Sequence, residues 1–300
     1  MQESGERKFL DPLVVSKLAG LDLRARLVVE GFIAGLHKSP YKGFSVEFAE
    51  HRQYMPGDPI RNIDWKVYAR RDRFYVKEFE EETNLRAYIL VDASASMGYS
   101  SSSAVTKLEY AGSLAAALSY LMLRQQDSVG LVTFTSTIRN YIPPRSVKGH
   151  LNVILTELER LRPGETTNVA RSLELLAGRI RRRGLIIVLS DLMDDQAAVL
   201  SAVKHFRHRK HEVIVFHLLD ESETGFPFEE ELAFVDMETD EEVIANSSQI
   251  GARYRKVMGD WIAEYRTQCH EHLVEYALLS TSTPYDVALT RFLEKRARLH

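Results

Sequence analysis

Cysteine is almost missing from this sequence. Its 300 residues include one, Cys269, so no intrachain disulfide can form and the fold must rest on its core. An excess of charge of one sign is missing too. Lys and Arg number 39 against 42 Asp and Glu, a formal charge of −3, which leaves no global field to draw the chain toward nucleic acid or an anionic membrane. Long apolar runs are also lacking. The longest candidate, Ala111–Leu123, falls well short of the roughly 20 residues a spanning helix needs. The polar start from Met1 to Lys8 has no secretory apolar stretch. These absences predict a cytoplasmic protein with no membrane span and no nucleic-acid partner.

What is present is the composition of a globular protein, 45% apolar and 27% charged. The length suits one main domain with an appendage. Apolar residues at helical spacing over 11–36 predict one or two helices, ended by Gly35 to Gly43 with Pro40. From 44 to 84 the pattern is different. Phe44, Val46 and Phe48 alternate as in a strand, Tyr54-Met55-Pro56-Gly57-Asp58-Pro59 is a turn cluster, and 74–79 reads as another strand. A small N-terminal α+β appendage over 1–84 is expected.

From residue 85 strands and helices alternate. Strand-length apolar runs occupy 85–91, 129–134, 185–189, 213–219 and 273–279. Helical stretches lie near 106–125, 148–160, 168–182, 196–208 and 248–271. This rhythm predicts an α/β fold over 85–300, a doubly wound, mostly parallel sheet flanked by helices. Ile138 to Ile142 should pair as an edge strand, and a hairpin near 234–243 should interrupt the last crossover.

In such sheets ligands bind beyond the carboxyl ends of the strands. The first strand ends in Asp92-Ala93-Ser94-Ala95-Ser96, the strand at 185–189 ends in Ser190-Asp191, and Gly164-Glu165-Thr166-Thr167-Asn168 precedes a helix. A carboxylate and hydroxyls can converge there, with a second carboxylate behind. Hard oxygen donors of this kind suit Mg²⁺ or Mn²⁺.

Asp92-x-Ser94-x-Ser96 resembles the metal-ion-dependent adhesion site of von Willebrand factor type A domains. Thr167 matches that family's second-loop threonine and Asp191 its third-loop aspartate. The turn here is Gly-Glu-Thr-Thr where the family often has Gly-Gly-Thr, so Thr166 stays open beside Thr167 as the ligand; Thr167 is favoured because Asn168 follows it. Upstream, Tyr54-x-x-Gly57-Asp58-x-x-Arg61-x-Ile63-Asp64-Trp65, with Ala69-Arg70 and Val76-Lys77-x-Phe79-Glu80, resembles the bacterial "domain of unknown function 58" family, in which this block precedes a von Willebrand A-like domain. The resemblance implies a metal-dependent interaction module rather than an enzyme. Its expected partner offers an acidic side chain, a MoxR-type AAA+ ATPase or its client, in a chaperone-like or maturation role.

Each feature has a plainer explanation. Asp92, Ser94, Ser96, Thr167 and Asp191 could cap helices. Gly57, Asp58, Arg61, Asp64, Trp65 and Arg70 could fix the appendage to the main domain or meet a partner. The basic runs at 179–183 and 205–211 suit helix C-termini. Cys269-His270-Glu271-His272 lacks zinc-site spacing. The competing function is a metal-dependent phosphohydrolase-like enzyme, but Ser94 stands where its general acid would be needed, and neither a Gly-x-Ser-x-Gly elbow nor a Gly-x-x-x-x-Gly-Lys phosphate loop occurs.

Overall fold

A computed structural model describes residues 11, 12, 15, 20–38, 51–53, 75–77, 85–101, 105–147, 149–164, 168–239 and 241–297. The chain divides into two compact units, Ser39–Asn84 and the remainder, Met1–Lys38 with Leu85–His300.

In the larger unit, α1 (Leu21–Lys38) places Ala25, Val28, Val29 and Phe32 in the core. It packs on α2 (Lys107–Arg124), α3 (His150–Glu159) and the final helix. This N-terminal helix therefore belongs with the α/β body. The region 1–84, grouped above as one appendage, is divided between the two units. The physical reason is the apolar stripe of α1, which covers helices of the main body.

Six strands build the central sheet: β3 (Arg86–Asp92), β4 (Ser128–Phe134), β5 (Ile138–Arg145), β6 (Leu185–Ser190), β7 (Glu212–Leu219) and β10 (Glu275–Ser280). Their order is β10-β7-β6-β3-β4-β5. All neighbours are parallel except β4 and β5, which run antiparallel. Strands β3, β4, β6 and β7 are almost continuously buried, as unbroken apolar sequence requires when helices cover both faces. The edge strand β5 carries Pro143 and Pro144 and pairs irregularly with β4, devices that blunt a sheet edge against further pairing. The expected mostly parallel, helix-flanked sheet is present.

The helices start where side chains satisfy their free N–H groups. Thr106 and Glu109 form a capping box on α2. Asn168 caps α4 (Val169–Arg179) and Asp195 caps α5 (Gln196–His208). After β7 come a short α6 (Glu221–Gly225), the hairpin β8 (Glu231–Val235) and β9 (Glu242–Asn246), and the long α7 (Ser247–Glu271). A final helix, α8 (Tyr285–Ala297), was not read from the sequence. Cys269 is buried and free, and burial pushes its thiol up to about 12.

In the smaller unit, β1 (His51–Gln53) pairs antiparallel with β2 (Tyr75–Lys77). The second strand falls inside the run expected at 74–79. Gly57, Asp58, Arg61, Asp64, Trp65 and Arg70, and the alternating run at 44–48, lie outside the described residues. No helix among the described residues is long and apolar enough to cross a membrane.

Candidate metal centre

The sheet order fixes where a site can form. From β3 the chain steps outward through β4 to β5, then returns to β6 on the other side of β3. The crevice at such a reversal lies beyond the carboxyl ends of the two diverging strands. Asp92 is the last residue of β3, and Asp191 follows the last residue of β6.

Both carboxylates are fully buried. One Asp92 oxygen accepts from the Ser94 backbone N–H at 2.9 Å, and the other accepts from the Ser190 hydroxyl at 2.6 Å. The Ser94 and Ser96 hydroxyls are 3.1 Å apart, and Ser96 hydrogen-bonds Asp191. The ion pairs of the described residues include none to Asp92. Burial, and then the charge of Asp191, raise its carboxyl above the usual range.

Capping does not account for these residues. The described helices that follow are capped by Thr106, Asn168 and Asp195, and the short 3-10 turn at Ser96–Gly98 has no side-chain cap. Asn168 accepts from the Arg171 N–H at 2.8 Å, so the cap of α4 is taken by the residue after Thr167. Thr166 and Thr167 themselves lie outside the described residues. Gly164, the last described residue before them, donates its N–H to the Ala93 carbonyl at 2.7 Å. A Cβ on Gly164 would meet Arg139 and Thr135 atoms at 2.7 Å and the Ala93 carbonyl at 3.2 Å, so this approach requires glycine.

Sequence reasoning missed Lys107. Its side chain is fully buried, with Nζ 2.8 Å from Asp191 and 2.6 Å from Glu223. Burial opposes its charge, but Asp191 and Glu223 outweigh that and raise it. Burial likewise pushes Asp191 up, and Lys107 more than offsets this, holding it below the usual carboxylate range. For Glu223 burial prevails, and its carboxyl is raised. A signal existed in the sequence: Lys107 opens its helix, where the dipole disfavours a cation. Only a nearby carboxylate makes that placement favourable.

His217 was missed as well. It is fully buried in β7, and its Nε2–H donates to the Asp191 carbonyl at 2.8 Å. Its Nδ1 accepts from the Tyr276 hydroxyl at 2.7 Å, and the Trp261 and Tyr265 rings stand against it. A carbonyl can only accept, which fixes the tautomer. Burial pushes the ring down to about 4, so it is neutral near pH 7 and serves to hold the Asp191 peptide.

Three buried or half-buried carboxylates, those of Asp92, Asp191 and Glu223, thus lie beside a single ammonium among the described residues, and it pairs with only the last two. With all of them ionised, the crevice holds a formal excess of two negative charges, matching a divalent cation. The donors fit Mg²⁺ or Mn²⁺ in kind, being one carboxylate and two hydroxyls. Among the described residues no three His, Cys, Asp or Glu side chains form a ready-made cage. The fit is therefore to an ion that keeps several waters.

The larger unit is a doubly wound, mostly parallel α/β domain with this loop at its switch point, the fold that the resemblance to von Willebrand A-like domains implies. The family can be stated more narrowly. The family described as "Protein of unknown function DUF58" matches residues 50–261, and the chain belongs to it. The uncharacterized protein Rv1480 of Mycobacterium tuberculosis is 26% identical over 222 residues, covering 72% of this chain and 68% of that protein. Among solved structures, BatB from Bacteroides thetaiotaomicron matches with a TM-score of 0.47 at 16% identity, over 71% of this chain and 99% of that one. The SpRpn10 VWA domain matches with a TM-score of 0.39 at 12% identity, over 69% and 93%.

Proposed function

We propose that this protein is a non-catalytic, metal-dependent protein-interaction module. The observation that carries the reading is Asp92, a fully buried carboxylate held only by serine and backbone donors, with no cation of the described residues paired to it. Burying a charge without a counter-charge is costly, and a divalent ion removes that cost. Asp92, Ser94 and Ser96 would hold Mg²⁺ or Mn²⁺, with Thr167 contributing from the second loop. Asp191, already engaged by Lys107 and Ser96, would act through water. When bound, the ion supplies a Lewis-acidic position for a carboxylate from a partner. The hydroxyl ligands bring no charge of their own, which leaves the ion eager for that carboxylate. The family resemblance suggests a MoxR-type AAA+ ATPase or its client as that partner.

The test is thermal melting of wild type and Asp92→Ala in EDTA and in excess Mg²⁺ or Mn²⁺. An ion at ten times its dissociation constant stabilises the folded state by about 1.4 kcal/mol, a rise of about 3 to 6 °C for a domain of this size. The expected result is a rise in wild type and none in the variant. No rise in wild type with either metal, even with a free carboxylate such as acetate added, would sink the metal reading.

A further inference from the structure

The crossover from β7 to β10 contains a feature that the metal loop does not use. Between Phe226 and Ser247 the chain carries eight acidic residues and no Lys, Arg or His. This stretch is the β8–β9 hairpin, which pairs with no strand of the central sheet. Its register sets Phe234 opposite Val243 and Leu232 opposite Ala245 on one face. On the other face Val235 stands opposite Glu242, Ala233 opposite Ile244, and Glu231 opposite Asn246.

The first face is anchored at Phe234, while Val243 opposite it stays 62% exposed. Phe234 stacks on Phe226, which also meets Phe228 and Tyr254 of α7. Phe226 is buried, with a left-handed backbone at φ 47, a strained setting for an aromatic residue that only firm packing sustains. The second face has no such cover. Val235 is 56% exposed and Ile244 67%, and the carboxylates of Glu231 and Glu242 flank them. An isolated hairpin is marginal in water, so an apolar outer face on one held in place by aromatic packing is a ready-made surface. At the turn, the Met237 methyl lies 3.7 Å from where a Cβ on Gly98 would sit, which puts the hairpin tip against the metal loop.

We propose that the outer face of the β8–β9 hairpin docks a basic, amphipathic segment of a partner protein. Val235, Ala233 and Ile244 take its apolar side chains, and Glu231 and Glu242 pair with its Lys or Arg residues. Charge complementarity selects this occupant. A second copy of this chain would set acidic hairpin against acidic hairpin, and an anionic membrane would be repelled. The surface is independent of the ion: the metal loop takes one carboxylate, and the hairpin beside it takes basic groups.

The experiment uses the full chain in EDTA, so its outcome is separable from that of the metal test. The probe is a fluorescein-labelled amphipathic peptide built of Leu and Lys, with a Leu and Glu counterpart, followed by anisotropy at low and high salt. The expected result is saturable binding of the Lys peptide only. Val235→Ser with Ile244→Ser weakens it roughly tenfold or more. Glu231→Gln with Glu242→Gln weakens it about threefold and flattens its salt dependence. All four positions are exposed, and melting curves verify that both variants fold. The proposal is overturned by absence of binding at protein concentrations up to about 100 µM, by equal binding of the Glu peptide, or by unchanged binding in both variants. A dimer seen by light scattering and abolished by Val235→Ser with Ile244→Ser would overturn it in favour of a second copy.

Discussion

Strand β7 has a charge cluster at each end, and the two are built on opposite plans. At its amino end Glu212 is paired with Arg207 at 2.6 Å and Lys295 at 3.0 Å, with Arg183 further off at 3.9 Å. One carboxylate faces an excess of cations, and it and its two close partners keep some contact with solvent. At its carboxyl end the proportions reverse. Among the described residues Lys107 is the single cation paired with Asp191 and Glu223, and Asp92 beside them has none. The first cluster is complete as it stands and has only a structural task. The second is short of positive charge around two fully buried aspartates, and so is suited to a ligand. Perturbed, under-compensated groups in a crevice mark function better than the number of ion pairs does.

The largest expected effect tests the cation at the carboxyl end. Lys107→Met keeps the volume and leaves Asp191 and the mostly buried Glu223 without a counter-charge, so it should cost about 3 to 5 kcal/mol in urea unfolding at neutral pH. A loss below about 1 kcal/mol would mean that the buried pair is no more than a surface bridge. Asp92→Asn removes the uncompensated charge. In EDTA its unfolding free energy should stay within about 1 kcal/mol of wild type or rise above it, while the Mg²⁺ response disappears. A large loss in EDTA would show that Asp92 is fully satisfied without an ion, and the contrast between the two ends would fail.

The smallest effect belongs to the amino end. The pairing with Arg207 and Lys295 outweighs burial and holds the Glu212 carboxyl below its usual range. A depressed carboxyl contributes stability above its unfolded value, and that contribution is lost as pH falls through the folded one. Glu212→Gln should therefore cost about 1 kcal/mol at neutral pH. That difference should shrink to nothing on acidification, as read from denaturant midpoints across a pH series. A difference that persists in acid would point to lost hydrogen bonding instead.

Much of the frame was legible because it depends on local pattern. Continuous apolar runs gave the buried strands, the polar residues right after them gave Asp92 and Asp191, and a hairpin was expected near 234–243, where β8 and β9 pair. The site was legible only in its loops. Lys107 shows in the sequence only as a cation at a helix start, and His217 as one polar letter in an apolar strand. Nothing local says that the first reaches Asp191, 84 residues away in sequence, or that the second clasps its carbonyl. The helix at the start of the chain was visible, but its attachment to the α/β body was not. An apolar stripe tells that a face is buried and not what buries it.

The sequence by itself determined the alternation of strand and helix, the family to which the chain belongs, and the order of acidic and hydroxyl residues on the first loop. Those depend on side-chain periodicity and on neighbours a few residues apart. The tertiary structure decided that β6 returns beside β3, and so that two aspartates meet. It decided that one buried lysine serves two carboxylates, and that the acidic hairpin turns an apolar face outward next to the 92–96 loop. These are long-range juxtapositions, set by how the covered faces pack rather than by any stretch of chain read alone.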